Sequence, residues 1–322
     1  MSLLKLRLSM IGTLALIIGV STLILTIILT LLGVFNVILL ASLVVLFNLV
    51  QWLFAPYLID TIYRVRKLSK QENPRLHAAV EALCRKINLK TPQLMLAEIP
   101  IPNAFAYGSP IAGSRIAVTS GLLNQLDEDE VEAVIGHELG HLKHRDVQIM
   151  MIASLLPALF YYIGYSLMFS SYRRDSREGG NSLAPLIGLI SIAAYWILTL
   201  LVLGLSRLRE YYADQLSATA IPNGAEKLSR ALAKIVFSTS QMRIGRYYKF
   251  YANRLNSFKA LLIADPEKAE EEAKTLYKYF GREKDLVQQL LQRKITLADR
   301  IIELFSTHPN IVKRLRALQN YR

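Results

Sequence analysis

Charged side chains are missing from three long stretches of this chain, Leu8 to Ile59, Val147 to Tyr172 and Gly179 to Ser206, which hold 52, 26 and 28 residues. An α-helix rises about 1.5 Å per residue and a bilayer core is roughly 30 Å thick, so about 20 apolar residues make one span. The first run therefore predicts two spans, at 11–32 and 37–58, joined by a turn at Gly33-Val34-Phe35-Asn36. The other two runs predict a second hairpin, with spans at 148–170 and 183–205. A secretory leader has an apolar region of only about 7 to 15 residues, so the N-terminal run reads as an anchor and not as a removable leader.

Outside the runs, residues 60–146 and 207–322 leave 203 residues, enough for one globular domain built from two pieces of chain. The expected organisation is a hairpin at 1–59, the first part of the domain at 60–146, a second hairpin at 147–206 and the rest of the domain at 207–322. In the first part, residues 75–87 read as a helix. Gln93–Ile99 and Arg115–Thr119 read as strands, with Ile101-Pro102-Asn103 and Gly113 as breakers. These strands predict a small antiparallel sheet. Asp127 followed three residues later by Glu130 has the form of a capping box and predicts a helix start.

Composition sharpens this picture. With 52% hydrophobic and 20% charged residues, the chain is too apolar for an ordinary soluble protein. The single cysteine, Cys84, excludes an intrachain disulfide. The net charge of +13 is placed beside the spans: Lys5 and Arg7 precede the first, and Arg64, Arg66, Lys67 and Lys70 follow the second. The positive-inside rule then puts both termini and the domain in the cytoplasm. Basic residues beside a span attract anionic lipid, and no nucleic-acid motif accompanies the charge, so the expected partner is the bilayer and not nucleic acid. Arg173 to Glu178 carry both signs, which leaves a re-entrant second hairpin open.

The helix starting at Asp127 contains His137-Glu138-Leu139-Gly140-His141, an H-E-x-x-H pattern. At about 100° per residue the two histidines lie about 40° apart, while Val131, Ile135, Leu139 and Leu142 form an apolar stripe on another face. One face can enter a core while the other presents two imidazoles to one ion, and Glu138 projects between them, near a water in the open position. A catalytic zinc takes three protein ligands. His144 would crowd the ion from the same helix and reads as a headgroup-facing residue or one supporting a ligand. Metzincins would need Gly at 144 and His at 147, where this chain has His144 and Val147.

Topology offers a better third ligand. His141 precedes Val147 by about 9 Å along a continuous helix, and Glu210 follows Ser206 by about 6 Å along another. Both then sit above the same membrane face. Asp214 lies one turn beyond Glu210, suited to hold a ligating imidazole by its other nitrogen. Ile221-Pro222-Asn223-Gly224 ends that helix.

The paired apolar runs, His137 to His141 and Glu210-Tyr211-Tyr212-Ala213-Asp214, with Pro102 to Gly108 and Ser306-Thr307-His308-Pro309, resemble the HtpX-type gluzincin metallopeptidases, membrane zinc enzymes related to the CAAX prenyl proteases. The resemblance implies a mainly α membrane protein with four transmembrane helices and an α+β gluzincin-like domain. It implies one Zn²⁺ per chain on His137, His141 and Glu210, with Glu138 as general base and acid and Asp214 orienting a ligand. Asn103, Ala104, Phe105 and Ala106 would line the cleft as an edge strand, although Asn103 also reads as a simple turn residue. His308 would assist catalysis, or cap a last helix beginning at Pro309. Polypeptides, membrane proteins foremost, are the implied substrates, and quality control at the cell membrane is the implied role. A prenyl-type processing protease would need a larger set of spans, a site-2-type protease an apolar H-E-x-x-H helix, and a scaffold a structural metal with no open position. Residues 239–305 are uninformative, apart from helix signals at Asp265-Pro266-Glu267 and Phe280-Gly281 and an aromatic cluster, Tyr247, Tyr248, Phe250 and Tyr251, which reads as core.

Overall fold

The structure, a computed structural model, describes residues 37–173, 183–243 and 284–321. The expected span at 11–32, the turn at 174–178 and the signals at 247–281 lie outside them. Helix α1 (Val37–Ile62) coincides with the expected span at 37–58. Among the described residues two helices are long and apolar enough to cross a membrane: α5 (Asp146–Arg173), over Asp146–Tyr165, and α6 (Ala184–Ala220).

After α1 come β1 (Val65–Lys67), α2 (Pro74–Lys86), β2 (Gln93–Ala97), β3 (Ala104–Ser109) and β4 (Gly113–Thr119). Helix α2 starts where expected because the Asn73 side chain accepts the Leu76 N–H and Pro74 needs no partner for its nitrogen. Its buried face is Leu76, Val80, Leu83 and Cys84.

The sheet order is β1-β2-β4-β3, and the sheet is mixed, not antiparallel as expected. β2 and β4 run parallel, with β3 antiparallel on the outside of β4. The intervening β3 reverses the chain, so β4 returns in the direction of β2. Side chains alternate with period two in either orientation, so the polar pattern carries no trace of it. The arrangement leaves β3 at an edge.

The chain continues through α3 (Ser120–Gln125) to α4 (Glu128–Lys143). Asp127 and Glu130 form the expected capping box. Val131, Ile135 and Leu139 are buried in one hydrophobic core with α2, β4 and α7 (Gly224–Arg243), and Leu142 packs against it.

One expectation fails here: α4 and α5 are not continuous. His144 is the C-cap and Arg145 takes a left-handed φ of 55° before α5 begins at Asp146. This break turns the chain and brings Asp146 back beside α4. Helix α6, by contrast, runs unbroken from its apolar half to Ala220 and stops at Ile221, as its Pro-Asn-Gly sequence requires.

Helices α4 and α6 approach closely through glycine. A Cβ at Gly140 would sit 2.8 Å from the Ala213 Cα, and one at Gly136 would sit 2.6 Å from the Ile221 side chain. The Ser217 hydroxyl donates to the Ala133 carbonyl across the same seam.

The remaining described helices are α8 (Lys284–Gln292), α9 (Leu297–Leu304) and α10 (Ile311–Leu318), followed by a short 3₁₀ turn, Gln319–Tyr321. The last helix does not begin at Pro309: Asn310 is its cap, accepting the Val312 N–H at 2.9 Å.

Gly140→Val places a branched side chain against the α6 backbone. Overpacking of this kind costs about 1–3 kcal/mol, and the expected result is a lower thermal unfolding midpoint and loss of bound metal as the helices separate.

Candidate metal centre

Helix α4 carries His137 and His141 one turn apart, and their rings meet edge to face with Nε2 atoms 3.1 Å apart. Opposite them α6 presents Glu210. Its Oε1 lies 3.4 Å from His141 Nε2, and its Oε2 lies 3.6 Å from His137 Nε2. Tetrahedral bonds of about 2.0–2.1 Å place neighbouring donors about 3.3–3.4 Å apart, and the separations here, 3.1 to 3.6 Å with one Glu210 oxygen toward each histidine, lie close to that. His137, Glu138 and His141 also offer ligand atoms within 4.8 Å of one another.

Each imidazole is oriented from behind. His137 Nδ1 lies 2.8 Å from Asp214 Oδ1, one turn along α6 from Glu210. His141 Nδ1 lies 2.6 Å from Asp146 Oδ2. With Nδ1 facing a carboxylate, each ring turns Nε2 toward the ion position. Both carboxylates are held in turn. Arg209 pairs with Asp146 at 2.5 Å and donates to its backbone carbonyl at 2.7 Å. Arg314, from α10, donates to both Asp214 oxygens at 2.9 and 2.6 Å and reaches Glu210 at 3.1 Å.

Glu138, Asp146, Glu210 and Asp214 are all buried, against two buried guanidiniums, Arg209 and Arg314. A divalent cation brings these charges to balance. Burial, reinforced by Glu210 and opposed by His141, the Ala106 N–H and Arg314, pushes the Glu138 carboxyl up to about 7. The donor set and its charge therefore both fit a dication.

Glu138 is not turned into the donor triangle alone: its Oε2 accepts the Ala106 N–H from β3 at 2.7 Å. Ala104, Phe105 and Ala106 line a cleft of about 270 Å³ together with His137, Glu138 and His308. Val147 and Met150, from the first turns of α5, and Ser206, where the charge-free part of α6 ends, line it too. His308 Nδ1 lies 3.1 Å from Glu210 Oε2.

Two candidates stand elsewhere. Asn103 is buried short of the cleft lining, and its backbone N–H and carbonyl are both bonded to Thr119. His144 packs against Tyr212 with ring centroids 3.8 Å apart and the rings tilted by 45°.

Asp146, Arg209 and Arg314 were not read from the sequence. Asp146 stood in plain view five residues after His141, but a continuous helix would have carried it about 140° round the axis. Arg314 gave no signal beyond following the His-Pro pair by a few residues.

A histidine pair, inward-facing carboxylates and a sheet edge, set beside two helices long and apolar enough to cross a membrane, are the features of a membrane metallopeptidase. The model of peptidase family M48 matches residues 70–322, and the chain belongs to that family. It is 40% identical over 282 residues to a protease HtpX homolog of Thermoplasma acidophilum, covering 86% of this chain and 83% of that one. A protease HtpX homolog of Aeropyrum pernix is 39% identical over 273 residues, covering 84% and 82%. The crystal structure of S. mikatae Ste24p matches with a TM-score of 0.54 at 17% identity, covering 98% of this chain and 67% of that one, a likeness of fold. The protein is thus a metalloprotease, a hydrolase acting on polypeptides.

Asp146→Asn keeps the shape beside His141 but removes the charge that orients it. Metal affinity should fall by about 10- to 100-fold in a chelator competition, and because Arg209 loses its buried partner the thermal unfolding midpoint should fall with it. Arg314→Met leaves Glu210 and Asp214 without their shared cation, and loss of one partner from a buried pair costs about 3–5 kcal/mol, which denaturant unfolding would register.

Proposed function

We propose that this protein is a zinc-dependent endopeptidase of the cell membrane that cleaves misfolded or damaged membrane proteins at the lipid surface. The observation that carries the reading is the triangle of His137, His141 and Glu210, spaced for a tetrahedral ion, with Glu138 beside it and bonded to an edge strand. Neutral imidazoles and one carboxylate suit zinc, and three ligands leave a position open.

Bound zinc supplies Lewis acidity, lowering the pKa of water to about 7 and polarising a carbonyl. Glu138 accepts a proton from the attacking water and returns it to the departing amine. A carboxylate at this position can take the proton in the first transfer and give it up in the second. The free edge of β3 offers the backbone groups of Ala104 to Ala106, to which an extended substrate adds as a further strand. The Ala106 N–H now on Glu138 becomes available to that strand as Glu138 turns to the water. His308 stands at the opposite wall, suited to steady the developing oxyanion. Asp214 and Asp146 keep the two imidazoles in register.

The two pieces 60–146 and 207–322 form the peptidase unit, carried by hairpins at 1–59 and 147–206, with the unit and both termini in the cytoplasm. Val147, Met150 and Ser206 in the cleft wall support a membrane-borne substrate, because they lie where the charge-free stretches of α5 and α6 begin and end. Peptide emerging from the bilayer beside α5 and α6 reaches β3 without leaving the surface.

Glu138→Gln tests this reading in detergent-purified protein. Casein hydrolysis should fall by at least about 100-fold while metal content stays equal to wild type. Full activity in the variant overturns the role of Glu138. Tightly bound metal with no hydrolysis of casein or membrane-protein substrates by wild type points instead to a structural metal.

A further inference from the structure

Helix α9 is built inside out. Its two acids, Asp299 and Glu303, are buried and paired with Arg293 and Lys313. Its large apolar residues face outward: Leu297 is 77% exposed, Ile301 57%, Leu304 52% and the following Phe305 61%. At about 100° per residue these four fall within an arc of about 100°, so they form one continuous apolar stripe. A helix facing water places such residues the other way round, and a contiguous exposed apolar patch marks an interaction surface.

The position of α9 selects the partner. Arg207 donates to the carbonyls of Glu303 at 2.8 Å, Leu304 at 3.1 Å and Ser306 at 2.7 Å. Arg207 is the first residue after the apolar run that ends at Ser206, so the C-terminal end of α9 is tied to α6 at the level where α6 leaves its apolar half. The exposed charges beside the stripe, Lys294 and Arg300, are both cationic. An apolar stripe flanked by cations, with its acids turned inward, is the pattern of a helix lying in an anionic membrane interface.

We propose that α9 lies in the membrane interface, its Leu297, Ile301, Leu304 and Phe305 side chains inserted among the lipids beside α6, with Lys294 and Arg300 on anionic headgroups. The inference rests on the membrane-anchored reading above. Helix α9 leads through Ser306 directly to His308 in the cleft wall, so its seating in the lipid fixes that wall relative to the surface.

The test uses the full chain carrying Cys84→Ala, with one new cysteine bearing an environment-sensitive fluorophore, reconstituted in phosphatidylcholine and phosphatidylglycerol vesicles. Labels at Ile301→Cys and Phe305→Cys should lose fluorescence to lipids spin-labelled near the headgroup and resist aqueous iodide. Leu189→Cys on α6 should be quenched by lipid, and exposed Lys90→Cys by iodide alone. Should Leu189 behave as Lys90 does, the membrane reading itself fails. With Leu189 quenched by lipid, iodide quenching at 301 and 305 overturns the proposal. Resistance to both quenchers at 301 and 305 also overturns it, showing that protein, from this chain or a second copy, covers the stripe.

Discussion

Four carboxylates and two guanidiniums buried in one small volume are the constraint around which this molecule is arranged. Each ion removed from water costs several kcal/mol unless it is paired and hydrogen-bonded, so no member of the set can be placed alone. Glu210 and Asp214 on α6 require Arg314 from α10, and Asp146 at the start of α5 requires Arg209 from α6. The histidines stand between the two pairs. The helices are therefore joined at the site as much as by their apolar contacts, and a dication completes the charge.

Two backbone devices make that convergence possible. Gly140, between His137 and His141 on α4, lets the α6 backbone approach closely enough to bring Glu210 within 3.4 Å of His141. The left-handed Arg145 breaks the chain immediately afterwards, so that the first residue of the apolar helix orients the last histidine. The same break couples the site to the membrane: one end of α5 is part of the metal centre and the rest is apolar. Ala104 to Ala106 of the edge strand β3 line the cleft together with Glu138 and Glu210.

The local features were legible in the sequence because they obey short-range rules. The capping box at Asp127, the apolar stripe of α4, the two apolar runs and the stop at Ile221 all follow from spacing within one element. His137, His141, Glu210 and Asp214 were legible because each pair sits one turn apart on one helix, and because each pair lies a few residues from a charge-free run. The parallel pairing of β2 and β4 was hidden, since strand direction depends on where β3 goes and not on alternation. Asp146 was hidden by the assumption of a straight helix through Arg145. Arg209 and Arg314 were hidden because a buried arginine and a surface arginine look alike until the carboxylates they meet have been placed.

The parts of the site are spread from Ala104 to Arg314, and that spread sets an order of events. A growing chain presents the histidines of α4 well before α5 and α6 have been made, and Arg314 arrives after both. Until α10 docks, Glu210 and Asp214 lack the cation that lets them stay buried together. The charge set of the site is thus completed only after both apolar helices have been synthesised.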